Sequence, residues 1–209
     1  MRSFSHWTPR YIVARTRDQL YSRRNPDAPW LTPRATELLT TLLLPTDVGV
    51  EFGSGRSTAW LGSRVRHLTS VEHDEEWYAV VGARLKRQGV DNVDHLFAPK
   101  DVPSNRGGES EYAGILRHFA AESLDFVLVD GVYRDACARA ALDRLRPGGL
   151  LVVDNVERFL PSTSRAPGAR RPVQGPAGPV WSEVADALAL WRRIWTSCGV
   201  WDTAIFVKP

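Results

Sequence analysis

Short apolar runs alternate with amphipathic stretches from residue 32 onward. Thr32-Pro33 opens the series: Thr offers a capping oxygen, Pro suits a first helical turn, and Ala35, Leu38, Leu39, Leu42 and Leu43 recur at helical spacing until Pro45. Val48 to Phe52 reads as a strand. Gly53-Ser54-Gly55 and a short helix around Ser57 to Leu61 follow, then a second strand from His67 to Glu72. Asp74 caps the next helix, with Glu75 and Glu76 in its positive first turn, Lys86 and Arg87 in its last, and Gly89 ending it. Val93 to Ala98 is a third strand, and the polar stretch Asp101 to Ser110 is a loop. A helix near Tyr112 to Ala121 leads to Leu124–Val129, an almost wholly apolar strand of the kind covered on both faces. Cys137, Ala140, Ala141 and Leu145 mark one face of a helix closed by Pro147-Gly148-Gly149, and Leu150 to Val153 is the fifth strand. Val184, Ala187, Leu188, Trp191 and Ile194 predict a last helix, and β segments at Ile194 to Ser197 and Trp201 to Lys208 flank Cys198-Gly199 as an antiparallel hairpin.

Strands alternating with helices imply right-handed crossovers and a Rossmann-like, doubly wound sheet. Ligands of such sheets bind beyond the carboxyl ends of the strands, which directs attention to residues 51–58, 72–74, 98–101, 130–134 and 154–157. Two segments lack periodicity. Residues 1–31 are polar, Arg-rich and broken by Pro9, Pro26 and Pro29, so an arm or lid is expected outside a domain of residues 32–209. Residues 157–180, rich in Pro, Gly and Arg, are expected to form a loop over a bound substrate.

Composition adds limits. The 209 residues, 43% apolar and 24% charged, support one sizeable core. No apolar run approaches the ~20 residues that span a bilayer, and the opening hexapeptide lacks the apolar stretch of a secretory signal, so a cytoplasmic protein without membrane partners is expected. Cys137 and Cys198 lie far apart without metal-ligand spacing, which argues for packing roles. The net charge of +3 suits an anionic substrate but lacks the dense basic stripe of a nucleic-acid binder. The basic clusters are Arg10, Arg15, Arg17, Arg23 and Arg24 in the arm and Arg165, Arg170 and Arg171 in the late loop.

The sharpest motif is Glu51-Phe52-Gly53-Ser54-Gly55-Arg56-Ser57-Thr58, where small residues let backbone N–H groups approach a ligand at a helix start. Glu72 ends the next strand 21 residues after Glu51, close to the ~20-residue spacing that sets a carboxylate against ribose hydroxyls. Together they indicate a nucleoside site. A dinucleotide site would have a third glycine where Thr58 stands, and the carboxylate of Glu51 suits a cationic ligand better than a pyrophosphate.

These residues resemble the class I S-adenosylmethionine-dependent methyltransferases. Glu51-x-Gly53-x-Gly55 looks like their first motif, Glu72 like their ribose-binding acid, Leu124 to Gly131 like their fourth-strand motif, and Leu145-Arg146-Pro147-Gly148-Gly149-Leu150 like the turn before their fifth strand. The resemblance, which spans about residues 33–209, implies a seven-stranded, mostly parallel sheet whose last strand is antiparallel. It places the donor methionine near the Gly53 turn and adenosine between Glu72 and the loop after Ala98. The residues it implies for S-adenosylmethionine are Glu51, Gly53, Ser54, Gly55, Ser57, Thr58, Glu72, His73 and Asp130. Asp74 reads equally as a helix cap.

Asp130 ends the fourth strand and Asp154-Asn155 the fifth; neighbouring parallel strands lie about 4.8 Å apart, so the three side chains can converge on one Mg²⁺. The pattern is similar to the metal site of catechol O-methyltransferase-like and antibiotic-sugar O-methyltransferases, where the ion lowers the acceptor hydroxyl's pKa. Where the catechol-type enzymes carry a basic lysine, this chain has Tyr133, followed by Arg134. Arg134 stays charged and suits orientation of an anionic acceptor, Tyr133 can hydrogen-bond an acceptor or pack, and Asp130 is the first choice for base or metal ligand. Trp181, Trp191, Trp195 and Trp201 crowd the end of the chain, with Trp191 and Trp195 at a helical spacing typical of core.

The expected function is O-methylation of a small molecule in bacterial secondary metabolism. Three alternatives stay open: an RNA methyltransferase; an NAD(P)-binding Rossmann oxidoreductase, weakened by the absent third glycine and Tyr-x-x-x-Lys pair; and a catalytically inactive binding protein. A homodimer is the base-rate expectation.

Overall fold

The computed structural model describes residues 7–209; the leader reading of the opening hexapeptide, and the first six positions of the arm, lie outside the described residues. Seven strands form one sheet: β1 (Val48–Phe52), β2 (His67–Glu72), β3 (Val93–Phe97), β4 (Leu124–Val129), β5 (Leu145–Asp154), β6 (Arg192–Ser197) and β7 (Asp202–Val207), in the order β3-β2-β1-β4-β5-β7-β6. β3 to β5 pair in parallel through β2, β1 and β4, while β7 runs antiparallel to both β5 and β6. The expected sheet and its antiparallel terminal hairpin are borne out.

The central strands alternate between two cores because successive side chains leave a strand on opposite faces. Phe126, Leu128, Leu150, Val152 and Ile205 pack with Leu31, Ala35 and Leu39 on one face. Val127, Val129, Leu151, Val153 and Phe206 pack with Tyr112, Cys137, Ala141, Trp181 and Val184 on the other. Ala35 and Leu39 belong to α2 (Pro33–Leu42), whose N-cap Thr32 accepts from Ala35 N as expected. α3 (Arg56–Gly62) follows the glycine turn, and α4 (Glu75–Gln88) is capped by Asp74 and stopped by Gly89 at φ +64°.

Four local readings are corrected. The arm contains a 16-residue helix, α1 (Pro9–Arg24), capped by Thr8. The stretch after Ser110 is a single turn, α5 (Glu111–Gly114), running into a 3₁₀ turn. α6 (Arg134–Arg144) ends before Pro147-Gly148-Gly149, which lies within β5 as an irregularity in its pairing with β4. α7 (Pro179–Leu188) stops short of Trp191, and Trp195 lies on β6 with its indole donating to Asp202, so these two tryptophans share no helix face. Among the described residues, no helix is long and apolar enough to cross a membrane.

Candidate active site

The carboxyl ends of β1, β2, β4 and β5 meet around the Gly53-Ser54-Gly55 turn. Gly53 has φ +94°, and a Cβ there would lie 2.7 Å from Gly131 N, so a side chain at this position would wedge the β1 and β4 turns apart. Ser54 is held at every polar group. Its N–H donates to Glu72 Oε2 (3.0 Å), its carbonyl accepts from Trp77 Nε1 (2.7 Å), and its hydroxyl lies 2.9 Å from Ser70 Oγ and 3.0 Å from His95 Nε2.

Glu51 lies beneath this turn, fully buried. Its Oε2 accepts from Thr58 Oγ1 and Ser70 Oγ, both at 2.6 Å, and Thr58 Oγ1 accepts from Gly55 N at 2.8 Å. Its Oε1 is buried without a hydrogen-bond partner among the described residues. Burial pushes its pKa to about 7 against the opposing pull of the surrounding hydroxyls. Glu51, Gly55, Ser57 and Thr58 therefore build the turn from below rather than lining the cavity above it. The reason is β1's alternation, which sends Glu51 into a polar pocket against α3 and β2.

Glu72 ends β2 almost fully buried, with Oε1 accepting from His73 N (2.8 Å) and Asp74 N (2.9 Å). With one donor on Oε2, a lone pair of that oxygen stays available to a ligand hydroxyl. His73 Nδ1 sits 2.8 Å from Glu72 Oε1, and its ring meets Tyr112 edge-on. A cavity of about 600 Å³ opens here, walled by Gly53, Ser54, Glu72, His73, Asp74, Trp77, Asp130, Gly131 and Trp30. Its wall continues along α4 to Val80, and residues 99–101 lie outside it.

A second cavity, about 570 Å³, lies on the other side of Asp130. α1 contributes Arg15, Asp18, Gln19, Ser22 and Arg23; the strand ends contribute Asp130, Asp154 and Asn155; and Trp30, Arg158 and Trp201 complete it. Trp30 and Asp130 line both cavities. The indole Nε1 of Trp201 is buried and lacks a hydrogen-bond partner among the described residues. The arm walls this cavity, and of residues 157–180 only Arg158 does so.

Asp130, Asp154 and Asn155 do converge, yet their surroundings do not fit a divalent cation. Arg134 Nη2 occupies Asp130 Oδ1 at 2.8 Å, while both Asp154 oxygens are engaged, Oδ1 by the Thr203 hydroxyl (2.6 Å) and Oδ2 by Asn155 Nδ2 (2.9 Å). A fixed guanidinium charge at that distance opposes a second cation. Among the described residues, no group of three His, Cys, Asp or Glu side chains could hold a metal. Burial raises Asp130 to about 6 against the attraction of Arg134. Burial, and then the Asp130 charge, push Asp154 well above the carboxylate range.

Arg134 is also corrected as an acceptor-binding residue. Besides Asp130 it donates to the carbonyls of Gly131 (2.9 Å), Asp130 (2.6 Å) and Asp154 (2.5 Å), bracing the β4 and β5 termini together. Tyr133 sits at φ +47° just before α6, which swings its ring onto Gly107 and its hydroxyl onto the Val102 carbonyl and N–H, away from both cavities. It fastens the 102–110 loop.

Sequence reasoning missed Trp30, Trp77 and His95. Trp30 stacks on Trp77 (centroids 6.3 Å, 14° between planes), with Arg56 over its ring at 5.0 Å. Trp77 stands two residues inside α4, where a large apolar residue next to the capping carboxylates was the available signal. His95 offered only its place mid-strand, in register with Ser70 on β2.

A family model described as a methyltransferase domain matches residues 50–156, more than half of the chain. A search of curated proteins found no match. Among solved structures, a methyltransferase-like protein from Silicibacter pomeroyi is 22% identical, with TM-score 0.58 over 87% of this chain and 88% of the other. A candidate caffeoyl-CoA O-methyltransferase from Staphylococcus aureus is 15% identical, with TM-score 0.57 over 98% and 94%. An rRNA methylase from Streptococcus thermophilus is 12% identical, with TM-score 0.54 over 84% and 93%. At these identities the likeness is one of fold.

Proposed function

The chain belongs to the methyltransferase-domain family and is an S-adenosylmethionine-dependent methyltransferase, and from that premise we propose that it methylates a hydroxyl of a small anionic molecule. The observation that carries this reading is the pair of cavities meeting at Asp130 and Trp30. The first fits the donor. Glu72 retains an acceptor site for ribose, and the bare Gly53 turn admits close backbone approach. When bound, the donor supplies an electrophilic methyl group on a sulfonium sulfur.

The second cavity supports the acceptor assignment. Arg15, Arg23 and Arg158 bring three guanidinium groups to its wall, and Trp201 adds an unpaired indole donor. Asp130, at the junction, is the base: with a pKa of about 6 it is ionised at neutral pH and can take the hydroxyl proton as the acceptor oxygen gains the methyl group. Burial, and then the Asp130 charge, raise the neighbouring Asp154 carboxyl well above its ordinary value. Arg134 holds Asp130 in place. The rest of the acceleration comes from alignment of the two substrates across the junction. A setting in bacterial secondary metabolism, and a cytoplasmic location, belong to the same proposal.

Calorimetry with S-adenosylhomocysteine and NADH, followed by labelled-methyl transfer to a panel of hydroxylated acids and their neutral analogues, tests it. The proposal expects S-adenosylhomocysteine to bind, NADH to fail, and methyl ether products to form preferentially from the acids. Binding of NADH alone, or salt-sensitive methyl transfer to tRNA or rRNA in preference to every small acceptor, would overturn it.

A further inference from the structure

A third cavity, of about 680 Å³, lies against a different stripe of α1 from the one that walls the acceptor cavity. Arg10, Val13, Ala14 and Arg17 follow i, i+3, i+4, i+7 spacing on that stripe, and the loop carrying Arg165 faces them. Among the described residues, no carboxylate lines the cavity. Among the described residues, no side-chain hydrogen bond or ion pair engages the guanidinium of Arg10, Arg17 or Arg165. Elsewhere on the surface Arg34, Arg84, Arg106 and Arg146 each rest on a carboxylate.

The walls are held in place without any ligand. Arg171 Nη1 donates to the Ser164 carbonyl at 2.6 Å and the Ser164 hydroxyl accepts from Ala166 N at 3.1 Å, which fixes the backbone on both sides of Arg165. On the opposite wall a Cβ at Gly199 would lie 3.0 Å from the Ala14 side chain, so α1 is seated directly on the β6–β7 turn. Arg10 and Arg17 are two turns apart, a rise of about 10.5 Å, with Val13 and Ala14 between them.

We propose that this cavity binds a small phosphorylated organic molecule, its phosphate taken by Arg10, Arg17 and Arg165 and its organic body resting on Val13 and Ala14. Three like charges around one cavity repel each other, and an oxyanion relieves that repulsion while matching the guanidinium fork with paired hydrogen bonds. The apolar strip between the two helix arginines gives the organic part a surface that water covers poorly. The volume lies within the range of small-molecule sites. The site shares no residue with the donor or acceptor cavities, so it stands apart from the proposed reaction.

Titration of the full chain with phenyl phosphate, with phenol and inorganic phosphate as references, tests the proposal. Phenyl phosphate should bind saturably at one site and more tightly than either reference. Arg10→Ala combined with Arg165→Ala should weaken it by about tenfold or more, as should Arg17→Gln alone, while affinity for S-adenosylhomocysteine stays unchanged. The arginines are exposed, and unchanged melting temperatures would confirm that the variants fold. Equal binding by the variants, binding that never saturates, or an arginine-dependent retention of tRNA stronger than any response to phenyl phosphate would overturn it.

Discussion

Arg134 Nη2 lies 2.8 Å from Asp130 Oδ1, and the same guanidinium reaches the Asp154 carbonyl at 2.5 Å. The cation at the meeting point of β4 and β5 is therefore supplied by the chain itself. Methyl transfer should proceed at an undiminished rate in EDTA, and Mg²⁺ should leave the melting temperature unchanged. A chelator-dependent loss restored by Mg²⁺ would show that Arg134 swings aside for a metal. The Arg134→Gln variant should also melt lower, because three strand-end carbonyls lose their donor.

Asp130 titrates near 6 because burial outweighs Arg134. As the general base it works only when ionised, so kcat/KM should climb through pH 6 and level off above it. Asp130→Asn should lower kcat by about a hundredfold or more while S-adenosylhomocysteine affinity shifts little. A pH-independent rate below 6, or an Asn variant of near-normal kcat, would move the base elsewhere.

Glu51 makes a prediction of opposite sign for stability. Its ordinary value of 4.5 rises to about 7 in the fold. Between those values the unfolded chain has released a proton that the folded chain still holds, so stability falls as pH rises through that window. Above pH 7 the accumulated penalty is about 3 kcal/mol. Glu51→Gln removes the titration, so its stability relative to the parent should improve between pH 5 and pH 8 in urea unfolding. A flat difference would mean that Glu51 is ionised throughout.

How far the fold could be read depended on period and punctuation. β1, β2 and β4 were bounded within a residue because Gly, Asp and Pro punctuate short apolar runs, and chain order then placed Gly53, Glu72, Asp130 and Asp154 on one edge. α1 escaped notice because Ile12, Val13 and Leu20 form no continuous stripe and remain half exposed. Side-chain direction at the strand ends was the main loss. Both sheet faces are covered, so the residues flanking Glu51 carry no polar alternation to show which way it points. Tyr133 and Asn155 take left-handed conformations at turns, which redirects side chains in a way residue spacing cannot reveal.

His95 offers the sharpest test of the polar chain beneath the glycine turn. Ser70 donates to Glu51, which directs the Ser54 hydroxyl toward Ser70 and leaves His95 Nε2–H to donate to Ser54. The ring is also stacked on Tyr78, with centroids 4.3 Å apart and 27° between planes. Burial lowers its pKa, so the imidazole is neutral at pH 7 and this tautomer persists. His95→Phe keeps the stack and deletes the donor, whereas His95→Gln keeps a donor and deletes the stack. If the hydrogen bond positions Ser54, the Phe variant should bind S-adenosylhomocysteine about fivefold more weakly, the loss expected for one hydrogen bond of roughly 1 kcal/mol, and the Gln variant should recover most of it. Calorimetry at pH 7.5, well above the imidazole range, separates the two. Equal weakening in both variants would assign His95 to packing alone, and equal affinity in both would free the donor turn from any control by β3.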